Sequence, residues 1–251
     1  MITVSTVLSL SAIIFFASVV RGFTGFGLAL VAVPLVQFFL PVADTAVYIA
    51  IVNFIFSVLY YRRSKAVIKG QPLGSMALFT GLGVAAGTLI LKFIYPAYIQ
   101  LIWGIMIIFI VFFLVRGMSF RIKSEKSALI LSGIFGGILA GSTGITGPPV
   151  AIILSSMKTP KEKFNAIISV FILFAVTYAL FFYFLTGLIR HEIVILALCS
   201  VPALLAGLYT GDRLVEQISQ KWFTNIVFLV LIIMGVITIF KGINGLFSGT
   251  V

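Results

Sequence analysis

The residues best suited to chemistry in this chain form two short glycine-rich clusters. The first is Arg21-Gly22-Phe23-Thr24-Gly25-Phe26-Gly27, and the second runs from Gly141-Ser142-Thr143-Gly144 through Thr146 and Gly147 to Pro148-Pro149. Both interrupt long apolar runs. Glycine lets a backbone leave a helix and approach a ligand closely, and a broken helix exposes unpaired amides and carbonyls. A helix N-terminus that opens at such a break carries a partial positive charge and free N–H donors, which suits an anion. In the first cluster the candidate substrate-binding residues are Arg21, Gly22, Thr24, Gly25 and Gly27. In the second they are Gly141, Ser142, Thr143, Gly144, Thr146, Gly147 and Pro148. Thr24, Ser142, Thr143 and Thr146 contribute hydroxyl donors, and Arg21 a full charge.

Each candidate has a plainer reading. Arg21 would snorkel to water if it lay near a membrane face, whereas a charge held at depth is expensive and marks function. Asn53, a lone amide in an apolar run, joins the set, although hydrogen bonding between helices is its simpler role. Gly133 and Gly137, and the pairs Gly83/Gly87 and Gly207/Gly211, read as close helix packing.

Other chemistries lack their residues. The sequence holds one histidine and one cysteine, with no cluster of metal-ligand spacing, no Gly-x-x-x-x-Gly-Lys-Ser/Thr phosphate loop and no serine with a His–Asp arrangement. Neither an enzyme, a metal nor a cofactor is expected. The six acidic residues, Asp44, Glu125, Glu162, Glu192, Asp212 and Glu216, stand at segment ends or in loops, so none reads as a midplane cation ligand. His191 reads as a surface residue. Cys199 reads as a small buried hydrophobe, and an intrachain disulfide is impossible.

The elements that position the clusters follow from composition. The chain has 251 residues, 61% of them hydrophobic and 9% charged, against about 25% charged in a soluble domain. Its mean hydropathy is +1.26. No soluble core could hide that much apolar surface, so the chain reads as an all-α, polytopic membrane protein. The net charge of +11 sits in short clusters between apolar runs, which fits loops facing anionic lipid and not nucleic acid.

Ten apolar segments are visible, at 2–20, 25–40, 43–61, 72–95, 98–117, 127–141, 144–157, 166–186, 192–210 and 222–240. The first reads as a retained segment, since no charged stretch precedes it. Segments 127–141 and 144–157 are short; 15 residues or fewer reach only about 22 Å against a core of about 30 Å. Around each cluster the chain is therefore expected to fold as a hairpin of partial helices. With alternating crossings, one face collects the basic loops around Arg62–Lys69, Arg116–Lys126, Lys158–Lys163 and Arg213–Lys221, leaving Lys92, Arg190 and Lys241 on the other. The positive-inside rule puts the basic loops in the cytoplasm and both termini outside.

The chain also repeats. Gly22-Phe23-Thr24-Gly25 corresponds to Gly141-Ser142-Thr143-Gly144, and Gly83/Gly87 to Gly207/Gly211. Each half, 1–120 and 121–251, reads as one broken-helix hairpin plus three transmembrane helices. Five segments per half is odd, so the halves must be inverted relative to each other, a plan common among secondary transporters.

Arg21-Gly-Phe-Thr-Gly-Phe-Gly-Leu-Ala-Leu-Val-Ala-Val-Pro34 and Gly137-Ile-Leu-Ala-Gly-Ser-Thr-Gly-Ile-Thr-Gly-Pro-Pro149 resemble the paired signatures of the TauE/SafE sulfite exporter family. The resemblance covers essentially the whole chain. It implies about eight spans in two similar halves, a bacterial or archaeal inner membrane, and a sulfur-containing anion such as sulfite or an organosulfonate as substrate. The expectation is a secondary anion transporter. An anion channel and a non-transporting scaffold are the alternatives, and a homodimer is left open.

Overall fold

A computed structural model describes residues 3–24, 27–64, 73–116, 124–155, 161–214 and 220–248. Gly25 and Phe26, the basic loop residues Lys65, Lys69, Arg121, Lys123 and Lys158, and Glu216 lie outside the described residues. The chain folds into helices α1 (Val4–Thr24), α2 (Leu28–Val36), α3 (Val42–Ser64), α4 (Leu73–Phe93), α5 (Pro96–Arg116), α6 (Glu125–Thr143), α7 (Gly147–Ser155), α8 (Lys161–Leu185), α9 (His191–Cys199), α10 (Val201–Leu214) and α11 (Gln220–Ser248). Helices are what such a chain must form, because lipid offers no partner to a backbone amide.

Among the described residues, eight stretches are long and apolar enough to cross a membrane: α1, α3, α4, α5, α6, α8, α9 together with α10, and α11. Two of the sequence expectations need correction. Segment 127–141 is not a partial helix, since α6 has 19 residues and rises about 28 Å. Among the described residues, the arms that follow the two tips, α2 and α7, are the short ones of the hairpins, with nine residues each, or about 14 Å. Segment 192–210 is broken at Ser200, between α9 and α10. Pro202 has no N–H to continue the ladder there.

Small residues set the helix pairs. A Cβ on Gly133 would lie 2.9 Å from Met76 O, and one on Gly137 2.7 Å from Thr80 O. Gly83 and Gly87 meet Ile134 and Ile138 in return, so α4 and α6 run parallel in close contact. Gly207 meets Phe15 and Gly211 meets Val19, making α1 and α10 a second parallel pair. Gly104 meets Gly235 and Ile239, while Gly242 meets Ala97 and Leu101, so α5 and α11 are antiparallel. Without a hydrophobic force between helices in lipid, such close van der Waals contact is what holds them. The packing reading of Gly83, Gly87, Gly133, Gly137, Gly207 and Gly211 is thus borne out.

At the centre lies α3, which touches α2, α5, α6, α8, α9 and α10. Its Ala46, Val47, Tyr48, Ile49, Asn53 and Phe56 are all buried. Polar ties fix its first turns. Asp44 Oδ2 accepts from Arg190 Nη1 at 2.8 Å, and the Tyr48 and Ser200 hydroxyls are 2.6 Å apart. Outward faces carry exposed Leu229, Phe240 and Phe247 on α11, as lipid-facing surfaces should. Cys199 corrects its expectation: it is exposed, because it falls on the outward side of α9. His191 is exposed, as expected.

Candidate functional site

Both glycine clusters sit where a full-length helix stops and a half-length helix begins. At the first, α1 ends at Thr24 and Gly27 precedes α2 with φ 111°. That left-handed geometry suits glycine alone among common residues. The Thr24 side chain and Gly25 lie outside the described residues. The first turn of α2 is Leu28-Ala29-Leu30, whose three N–H groups find no carbonyl within the helix. Its far end is anchored by α11: Lys241 Nζ donates to Gln37 O at 3.3 Å and lies 3.6 Å from the Phe38 ring centre. A cation there complements the negative end of the helix.

Arg21 does not snorkel to water. It is 3% exposed and its guanidinium reaches α3, with Nη1 3.4 Å from Asn53 Oδ1 and the central carbon 3.6 Å from the Phe56 ring centre. Asn53 is fully buried. The interhelical reading of Asn53 and the placement of Arg21 thus meet in one contact. Phe56 was not among the sequence candidates, although it stands one helical turn from Asn53. Gly22 serves packing: a Cβ there would lie 2.9 Å from Gly211 backbone carbon.

The second tip is tied up by its own hydrogen bonds. Ser142 Oγ donates to Ile138 O at 2.8 Å and Thr143 Oγ1 to Leu139 O at 2.6 Å. Thr143 Oγ1 also accepts from Ile145 N–H at 2.9 Å, so it caps the turn. Gly144 ends α6 with φ 75° and N–H bonded to Ala140 O. Tyr183, from α8, donates to Gly141 O at 2.8 Å, a residue no glycine motif would have revealed. Gly141 packs against Val84 O of α4. Thr146 and Gly147 are buried. The first turn of α7 is Gly147-Pro148-Pro149, and the two prolines bring no N–H.

One stripe of α3 meets both tips. Gly144 lies against Ala46 and Ile49, and Arg21 against Asn53 and Phe56. These two pairs are seven residues apart, or about 10 Å along the helix. The half-helices α2 and α7 touch each other as well. The structure therefore gathers Arg21, Asn53 and the two tips around α3. It leaves Gly22 and Gly141 at helix seams.

These features define a multi-pass membrane protein with two interrupted half-helices inside its helical core. Residues 10–238 match the family model described as "Sulfite exporter TauE/SafE", and the chain belongs to that family, one of transporters and not enzymes. It is 24% identical over 226 residues to a protein of Cupriavidus necator named "Probable sulfite/organosulfonate exporter TauE", covering 84% of this chain and 85% of the relative. No solved structure matches the chain.

Proposed function

We propose that this protein is a secondary transporter of a small anion, with sulfite or an organosulfonate as substrate, working by alternating access. The observation that carries the reading is a buried arginine beside the N-terminus of a half-length helix within the membrane core. Burying such a charge is costly, and it has its use if an anion comes to it. The relative's name supplies the substrate class. The protein resides, in this reading, in a bacterial or archaeal inner membrane with both termini outside, as the basic loops favour.

The pairing of helices supports two inverted halves, 1–120 and 121–251. The first helix of each half (α1, α6) packs parallel to the fourth-position helix of the other (α10, α4), and the fifth-position helices α5 and α11 pack antiparallel. A pseudo-twofold axis in the membrane plane produces that pattern. Arg21, Asn53, Thr143 and Thr146 are each 3% exposed or less, which favours an occluded conformation. Rocking of the halves about α3 would open the site to either side.

The test is uptake of sulfite, sulfate, thiosulfate, sulfoacetate, taurine and lactate by proteoliposomes holding the purified protein, with and without a pH gradient. Saturable uptake of one sulfur-containing anion is expected. Arg21→Ala should lower its kcat/KM on the order of 10–100-fold, the worth of a charged hydrogen bond, at unchanged folded yield. Wild-type protein that is folded yet moves no anion would overturn the transporter reading in favour of a scaffold. Currents far above carrier turnover would replace it with a channel.

A further inference from the structure

Two donors on the helix that receives Arg21 are left over. A guanidinium can only donate, so the Asn53 amide must turn its oxygen to Arg21, and Nδ2 is the group that remains. That nitrogen is buried and has no hydrogen bond. One turn further along α3, Ser57 is 1% exposed and its hydroxyl has no partner either. A helix hydroxyl ordinarily bonds the carbonyl four residues back. Here Ser18, Thr80, Ser169 and Thr238 do so, onto Ile14, Met76, Asn165 and Met234. Ser57 does not. Thr88 and Ser132 share its state among the described helix hydroxyls, but both lie along the α4–α6 glycine seam, beside Gly87 and Gly133.

Ser57 has a different address. At 3.6 residues per turn, Ala46, Ile49, Asn53, Phe56 and Ser57 fall within an arc of about 100° on α3. That arc is the one meeting both tips, since Ala46 and Ile49 face Gly144 and Asn53 and Phe56 face Arg21. Buried donors without partners are costly and call for an explanation. Two of them, one turn apart on the face of α3 that meets a buried cation, are explained together by a ligand that brings acceptors.

We propose that Asn53 Nδ2 and the Ser57 hydroxyl are two further donors to the substrate, forming with Arg21 a cradle for a three-oxygen anionic head group. The inference rests on the transporter reading above. Charged oxygens make strong, short hydrogen bonds to such donors, and three donor side chains match a sulfonate better than a two-oxygen carboxylate. Ser57 then becomes a determinant of selectivity between the two.

The experiment compares ethanesulfonate and propionate uptake by proteoliposomes, with the melting temperature of the anion-free full chain as second readout. Ser57→Ala should raise the KM for ethanesulfonate about tenfold, the worth of a hydrogen bond to a charged group, and lower the ethanesulfonate-to-propionate ratio. Its melting temperature should hold or rise, because an unpaired hydroxyl has been removed. Ser57→Thr should keep wild-type selectivity. Asn53→Asp, which keeps an oxygen toward Arg21 but removes the N–H, should abolish uptake while the protein still folds. A lower melting temperature for Ser57→Ala with unchanged KM would assign the hydroxyl to packing and overturn the inference. Wild-type uptake that neither Ser57→Ala nor Asn53→Asp alters would also overturn it, leaving the transporter reading intact. Wild-type protein that moves neither anion of this pair nor any of the earlier panel would sink both.

Discussion

The two tips share a motif and differ in what they offer a ligand. The first has Arg21 at its edge, buried on Asn53 and Phe56 of α3, followed by a half-helix whose opening turn has three N–H donors. The second has Ala140 where the first has Arg21, since Ala140 precedes Gly141 as Arg21 precedes Gly22. Its hydroxyls at Ser142 and Thr143 point their protons at α6 carbonyls. Two of its first three α7 residues are prolines. The same glycine-rich interruption thus stands at both tips, but a charged side chain adjoins only one. The lesson is that a repeated break marks a place in the fold, while the side chains around it decide whether a ligand is recognised there.

Moving the charge would test this contrast most severely. Ala140 is 1% exposed, and its carbonyl and that of Gly141 lie within reach of the Tyr183 hydroxyl. Ala140→Arg should therefore prevent folding, because an uncompensated buried charge costs several kcal/mol. Size-exclusion chromatography of the purified variant would show it as loss of the monodisperse peak. A folded Ala140→Arg protein would mean that the second tip has room for a cation and that the asymmetry is shallow.

A smaller effect should be common to both tips. Gly22→Ala and Gly141→Ala each drive a methyl into backbone of a partner helix, Gly211 in one case and Val84 in the other. Overpacking of this kind costs about 1–3 kcal/mol, so both should lower the melting temperature by a few degrees. Similar losses from the pair would confirm that seams are equivalent where recognition is not. Smallest of all is Thr143→Val. It removes the cap on Ile145 N–H and should cost about 1 kcal/mol of stability, with little change in anion KM. A KM shift as large as that of Arg21→Ala would make the second tip an equal partner in binding.

The membrane class and the helices were legible in the residues themselves. An apolar fraction that no soluble core could hide forces the chain into lipid, and lipid forces helices. Glycine spacing at 83/87, 133/137 and 207/211 announced close packing, because a missing Cβ is a local property that needs no knowledge of the partner. Folding alone decided the rest. The full length of α6 lay beyond its apolar run, with polar Glu125 and Thr143 at its ends, the first paired with Lys163 of α8. Exposure of Cys199 depended on which side of α9 met α3. Arg21 could have reached water or the core, and only the approach of α3, bringing Asn53 and Phe56 within about one side chain's reach, chose the core. The sequence by itself determined where the two glycine-rich tips lie and that only the first has a charge beside it; the tertiary structure determined that this charge is buried on α3, because that depends on contacts between residues far apart in the chain.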